Sequence, residues 1–288
     1  MISALGTILV AAGVMAAVPA SSSVTWDKVY EVEGGRDAFL SSVRARSRDE
    51  WFAGGQWGVA HGSKGQVTRY ETPGRPVIGL WDGGDSGIFA FGTGELVLHF
   101  DGASWLEEHS GPIAKKGSRG IDMLYLAFVD TDRKVPTIVA LGTSLALERQ
   151  PDRTWVKPPE PEREKLVQRG QLGPEVKLPA GCHGAGWFWL GVKRGFTYCH
   201  DGRSFVIDEG GPVTERGKLP KECRRAIDGL APGGSELYAI CGAKVFRNDS
   251  AGWRLFGTGL REKELNSISF ADGCVFVAGR RAIYRSCP

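Results

Sequence analysis

Four aromatic residues, Trp105, Trp155, Phe205 and Trp253, stand 50, 50 and 48 positions apart, and each closes the same local phrase. The phrase runs as an apolar strand, a glycine turn, a second strand and then Asp-Gly-x-Ser-aromatic. Its clearest copy is Ile88–Gly92, Leu96–Phe100 and Asp101-Gly102-Ala103-Ser104-Trp105. Further copies run from Ile138–Gly142 to Asp152-Arg153-Thr154-Trp155, from Trp187–Gly191 to Asp201–Phe205, and from Leu237–Gly242 to Asp249–Trp253. A fixed period of roughly 40 to 50 residues, with several short alternating strands per unit, excludes a helical solenoid and predicts the blades of a β-propeller.

Two incomplete units flank these four. Upstream, Trp51–Gly55, Gly58–His61 and Gln66–Tyr70 follow the pattern without its aspartate and tryptophan. Downstream, Cys274–Gly279 and Ala282–Arg285 lack an outer strand and a closing aromatic. The missing piece stands near the other end, as Ser23–Trp26 leading into Asp27–Val32. The expected fold is therefore all-β: a propeller of about six four-stranded blades, the last completed by the N-terminal strand, which leaves no open edge to aggregate. Composition agrees. The 41 glycines among 288 residues are about twice the usual share of ~7%, as many tight turns would require.

These repeats resemble those of secreted bacterial β-propeller proteins of the myxobacterial type, which read Asp-x-Trp-x-x-Gly…Gly…Asp-Gly-x-x-Trp. Asp49-Glu50-Trp51-Phe52-Ala53-Gly54, with Asp101 to Trp105, matches that form. The resemblance covers most of residues 24–288. It implies the fold and a binding or surface role, and it carries no activity with it.

Met1–Ala20 contains no charged side chain, and Val18-Pro19-Ala20 before Ser21-Ser22-Ser23 has the small-residue form of a signal-peptidase site. Residues 1–20 are expected to be a signal peptide and 21–288 a single propeller domain. A basic n-region is missing, and a retained membrane anchor is the rival reading. On the first reading the protein acts in the periplasm, on the cell surface or outside, with no membrane span in the mature chain. The net charge of +3, with both signs interspersed, does not suggest a nucleic-acid partner.

All six cysteines follow residue 181. An even number in an exported chain favours disulfides, grouped as Cys182 with Cys199, Cys223 with Cys241, and Cys274 with Cys287. A two-residue turn at Arg280-Arg281 places Cys274 opposite Cys287 across one hairpin. Cys223, before an inner strand, and Cys241, ending the next strand, should meet at one rim. Cys182-His183 and Cys199-His200 also compose a possible tetrahedral zinc set, at a spacing that matches no recognised zinc pattern.

The Asp-Gly-x-Ser-Trp units invite comparison with the Asp-box of sialidases, but the separations from Asp101 to Trp105, Asp201 to Phe205 and Asp249 to Trp253 are each four rather than five. A plain turn, with Asp accepting local N–H groups and Gly at positive φ, explains them. No nucleophile elbow, zinc-protease helix or phosphate loop occurs. Glu107 and Glu108 are adjacent on a strand, point to opposite faces and make a poor acid/base couple. His61, His99 and His109 have no evident partner. No catalytic, cofactor or metal residue is assigned. The long connectors 108–121, 158–177 and 208–224 are expected on one face as a contact surface, the middle one solvated and mobile. The expected role is a non-catalytic binding scaffold for a protein or glycan. The alternative is an exported carbohydrate-active enzyme, glycosidase-like or lyase-like, with carboxylates on the inner strands.

Overall fold

The computed structural model describes residues 24–33, 38–113, 123–130, 135–172, 178–182, 184–191, 194–208, 211–224, 226–260 and 264–287. The expected signal peptide, residues 1–20, lies outside them, as does His183. The chain forms six four-stranded antiparallel sheets arranged as a six-bladed β-propeller. Strand β1 (Asp27–Glu31) is the first strand among the described residues and belongs to the last blade. Blade 1 holds β2 (Leu40–Ala45), β3 (Glu50–Gly55), β4 (Gly58–Ser63) and β5 (Gln66–Glu71). Blade 2 holds β6 (Val77–Asp82), β7 (Ile88–Gly92), β8 (Val97–Phe100) and β9 (Trp105–His109). Blade 3 holds β10 (Leu124–Asp130), β11 (Thr137–Gly142), β12 (Ala146–Arg149) and β13 (Trp155–Val156), and is followed by helix α1 (Glu162–Leu172). Blade 4 holds β14 (Gly184–Gly191), β15 (Arg194–Cys199), β16 (Arg203–Asp208) and β17 (Val213–Lys218). Blade 5 holds β18 (Gly229–Gly233), β19 (Glu236–Cys241), β20 (Lys244–Asp249) and β21 (Gly252–Gly257). Blade 6 holds β22 (Leu265–Ala271), β23 (Cys274–Gly279) and β24 (Ala282–Ser286), with β1 as its outer strand. Asp27 pairs with Arg285 and Glu31 with Ala282, so the expected closure is present.

The core is a ring of clusters between neighbouring blades. Phe52, Val59, Ile88, Leu98 and Trp105 fill the space between blades 1 and 2. Phe89, Phe91, Leu124, Ala140 and Trp155 fill the next. Each closing tryptophan lies edge-on to aromatic rings of the blade before it: Trp105 on Phe52 at 5.8 Å, Trp155 on Phe89 at 6.2 Å, and Trp253 on Phe196 at 6.1 Å. Trp26 takes the same part against Phe256, at 6.0 Å. Burial of such a side chain, with edge-to-face contact added, explains why the aromatic recurs at the blade period.

The aspartates of the repeat serve turns. Asp101 Oδ1 accepts the N–H groups of Ala103 and Ser104, both at 2.9 Å, while Gly102 sits at φ 102°. These local bonds hold the Asp101 carboxyl below the usual range. Asp152, Asp201 and Asp249 each accept in the same way the N–H of the residue two positions on.

Blade 4 departs from the sequence expectation. Its Asp201-Gly202 turn joins the second and third strands, so Phe205 lies on β16, whereas Trp105, Trp155 and Trp253 lie on fourth strands. Trp187–Gly191 is accordingly the inner strand rather than the second. The even spacing concealed a unit one strand out of phase.

Segment 158–177 also differs from expectation. It carries α1, wedged against β10, β11, β12 and β14 where blades 3 and 4 meet. Leu166 is buried with Phe128, Val139, Leu141 and Ala146, and Arg169 pairs with buried Asp130 at 2.9 Å. Gly170 permits the close approach, since a Cβ there would fall 1.7 Å from Leu141 Cδ1. Its carbonyl accepts the Trp189 indole N–H at 3.0 Å. Pro- and charge-rich composition suggested a solvated strap; a few apolar and polar anchors instead seat a helix.

Candidate functional site

The first strands of the blades surround the axis, and a cavity of about 390 Å³ opens between them. Five blades contribute to it: Arg44 from β2, Leu80, Trp81 and Asp82 from β6, Tyr125 and Leu126 from β10, Trp189 and Leu190 from β14, and Leu230 and Pro232 from β18. Two hollows of about 530 and 480 Å³ lie elsewhere, against β11 and β12 and along α1. Of these three, the first draws residues from around the ring, which is where a propeller concentrates its inner-strand side chains.

Close packing of inner strands fixes the cavity wall. Gly79 on β6 faces the Tyr125 carbonyl, and a Cβ at 79 would stand 2.3 Å from that oxygen. Ser41 Oγ donates to the Val77 carbonyl at 2.6 Å, tying blade 1 to blade 2. The Val43 and Ala45 N–H groups donate to Ser267 and Ser269 Oγ at 3.1 and 2.9 Å, tying blade 1 to blade 6. Inner-edge backbone groups that lack a fifth strand are satisfied in this way.

The electrostatics of the cavity are asymmetric. Asp82 is engaged: its Oδ1 accepts the Gly84 N–H at 2.9 Å, and its Oδ2 lies 3.8 Å from Arg46 Nε. Arg46 also donates to the Gly84 carbonyl at 3.0 Å. Arg44 is different. Among the described residues its Nε has no hydrogen-bond partner, although the atom is buried. Burial lowers the guanidinium pKa from its ordinary value, with the Asp82 charge opposing the change. An arginine stays protonated nonetheless, so the cavity wall holds a cation without a bonded counter-ion.

Two other polar clusters bind blades together. Glu108 accepts both Arg149 Nε and Nη2, at 2.9 and 2.6 Å, and the Trp155 indole N–H at 3.0 Å. His99 Nδ1 lies 3.0 Å from the same carboxylate, and its Nε2 lies 2.7 Å from the Ser86 carbonyl. Burial pushes the Glu108 carboxyl up, but these donors outweigh it and bring it down to about 2. Glu95, buried at φ 54°, pairs with Lys157 at 2.6 Å and His109 at 3.3 Å. Burial again acts upward there, and the hydrogen bonds from Lys157 and His109 hold the carboxyl below its usual range. His61 lies 3.1 Å from Glu50. All three histidines thus have carboxylate partners, and His99 is buried rather than superficial. The cross-blade pairing of Glu108 with Arg149 and Trp155 escapes sequence reading, because it depends on how adjacent sheets face one another.

The three cysteine pairs close as disulfides: Cys182–Cys199, Cys223–Cys241 and Cys274–Cys287. The first two occupy equivalent places in blades 4 and 5, clamping the connector before the inner strand to the end of the second strand. The Cys182–Cys199 bond consumes both thiols of the zinc alternative, and His183 lies outside the described residues.

The contact face expected of the three insertions falls only in part within the described residues. Residues 114–122 and 173–177 lie outside the described set, and 162–172 is the α1 wedge. Segment 208–224 comprises the end of β16, the hairpin into β17, β17 itself and the short helix Lys221–Arg224, so it spans both ends of the blade. Glu107 and Glu108 diverge as expected: Glu107 lies 3.6 Å from Arg75 with a largely open side chain, and Glu108 is buried.

The class these features define is the six-bladed β-propeller. Solved structures of similar fold include a catalytically inactive variant of virginiamycin B lyase from Staphylococcus aureus with quinupristin, at 12% identity and TM-score 0.51 over 92% of this chain and 100% of that one. A Bacteroides thetaiotaomicron protein of unknown function matches at 11% identity and TM-score 0.55, over 91% and 75% of the two chains. YCF48 bound to D1 peptide matches at 13% identity and TM-score 0.52, over 96% and 99%. No protein-family model matches the chain, and no curated protein does. These likenesses are to a lyase and to a peptide-bound protein alike, so they speak for the fold and leave the choice between catalysis and binding to the site.

Proposed function

We propose that this protein is an exported, non-catalytic binding scaffold for a protein or glycan partner, with its ligand seat in the axial cavity. The observation that carries this reading is the cavity lining. It combines an aromatic and aliphatic wall with one cation, Arg44, and one carboxylate, Asp82, that is already engaged. Glycoside hydrolysis ordinarily uses two carboxyl groups roughly 5 to 9.5 Å apart across the scissile bond. Among the described lining residues Asp82 is the only carboxylate, which disfavours the glycosidase-like alternative. A volume of about 390 Å³ falls within the usual range for small-ligand sites. Three disulfides support an oxidising compartment, and no helix among the described residues is long and apolar enough to cross a membrane.

The test is a screen of immobilised glycans and peptides against the wild-type protein and a Leu230→Trp variant that fills the cavity. Ligands should bind the wild type and be lost at least tenfold in the variant, while Leu106→Ser on the exposed outer strand β9 leaves them unchanged. Mass spectrometry of the bound ligands should find them intact. Cleavage or elimination products would overturn the non-catalytic reading, and binding indifferent to Leu230→Trp would move the seat elsewhere.

A further inference from the structure

We infer that the axial cavity takes a monocarboxylate of about single-ring size, its carboxylate held by Arg44 and its body lying against Trp81, Tyr125 and Trp189. The inference rests on the cavity being the ligand seat and adds the chemistry of what sits there.

The charge arithmetic of the wall is simple. Asp82 and Arg46 face each other at 3.8 Å, and the Gly84 N–H takes the other Asp82 oxygen at 2.9 Å, so that pair is nearly neutral. Arg44 remains as one positive charge, with a buried Nε that no described residue meets. A half-buried guanidinium whose Nε has no acceptor is costlier to keep than one fully hydrogen-bonded. Such an arrangement is sensible where a ligand supplies the missing acceptors. The guanidinium fork presents parallel N–H groups that match the two oxygens of a carboxylate in one plane.

Charge also chooses among anions. A single arginine balances one negative charge, which suits a carboxylate and leaves a phosphate dianion with excess charge in a poorly solvated site. Size limits the body. A volume of about 390 Å³ admits one ring or a short branched chain with its first hydration, rather than an extended polymer. Leu80, Leu126, Leu190, Leu230 and Pro232 complete a wall that favours a flat or apolar body over a highly polar one. The carboxylate could arrive on a free acid or on the uronate end of a glycan; the recognition chemistry is shared.

Isothermal titration of the full chain with benzoate, glucuronate and an oligosaccharide ending in glucuronate tests this, with benzamide, glucose and inorganic phosphate as counterparts. At least one acid should bind, at least tenfold more tightly than its neutral counterpart, and Arg44→Gln should weaken it at least tenfold. Tighter binding of the oligosaccharide than of either monomer assigns the glycan source, and binding of benzoate alone assigns the free acid. Failure of every acid, equal binding by Arg44→Gln, or displacement by equimolar phosphate would overturn the inference. If neutral counterparts bind as well as acids and Leu230→Trp abolishes them, the cavity remains the seat and only the anion claim falls. A ligand-free readout guards against a variant that does not fold. Arg44→Met should keep or raise the thermal midpoint, because it removes a half-buried charge whose Nε no described residue meets. A fall of several degrees would mark Arg44 as a structural cation and overturn the inference.

Discussion

Between blades 2 and 3 a single carboxylate gathers donors from three strands, and its removal should be felt by both sheets. Glu108→Gln leaves Arg149 and His99 facing a neutral amide in a buried setting, for a loss of about 3 kcal/mol by the usual cost of breaking such a cluster. The pH dependence has a definite sign. The folded-state pKa of Glu108, about 2, lies below the ordinary carboxyl value near 4.5. Its contribution is therefore complete above the ordinary value and lost as pH falls from there toward about 2. Urea midpoints of wild type and Glu108→Gln should be far apart at neutral pH and converge in acid. A constant gap would show that the carboxylate's charge does not matter. Trp253→Phe is a complementary case: it keeps a ring against Phe196 but removes the 3.0 Å hydrogen bond to Ser204 Oγ. A loss of about 1 kcal/mol in chemical denaturation is expected, since a modest hydroxyl acceptor is left behind.

At the scale of elements, α1 is the piece with no counterpart in the repeat. Gly170→Ala should push the helix off Leu141 and weaken the Trp189 hydrogen bond, costing about 1–3 kcal/mol as overpacking does. Near-ultraviolet circular dichroism, which senses Trp189 stacked on Phe128 at 5.4 Å, should change with it. An unchanged spectrum and midpoint would mean the wedge adjusts freely. The two equivalent disulfides of blades 4 and 5 offer a second comparison. Reduction of either closed loop, of 17 or 18 residues' separation, should cost about 3 kcal/mol in the chain-entropy view. These elements also mark where sequence reasoning reached its limit. The Asp-Gly turns, the closing tryptophans and the cysteine pairs were legible because each follows local chemistry at a repeated spacing. The helix was not, because its apolar contacts are few and its seat depends on a glycine opposite Leu141. Blade 4 misled for another reason: Phe205 follows an Asp-Gly turn as the tryptophans do, yet that turn joins a different pair of strands. Arg44 carried no signal at all, since one arginine in a strand says nothing about which strands will face it.

At the scale of the whole molecule, six sheets share their cores with their neighbours, and the ring is sound only if every junction is filled. Removing residues 24–33 should leave the β24 edge unpaired and Phe256 without Trp26. The truncated protein should self-associate, visible by light scattering after size exclusion, because an open strand edge templates further pairing. A monodisperse monomer of native stability would show that the closure is dispensable. The six-blade count and the closure followed from periodicity and a misplaced tryptophan; the axial cavity did not, because it is a property of the ring and of no single unit. The closure has a further consequence in time. Asp27 must wait for Arg285 before it has its partner, so the first described strand of the ring is the last to be paired. Pairing across so long a stretch is expected to be slow, and until it is made both edges that meet in the last blade are unpaired. A chaperone acting on this chain would have its greatest effect in that interval, by shielding the waiting strand until the circle can shut.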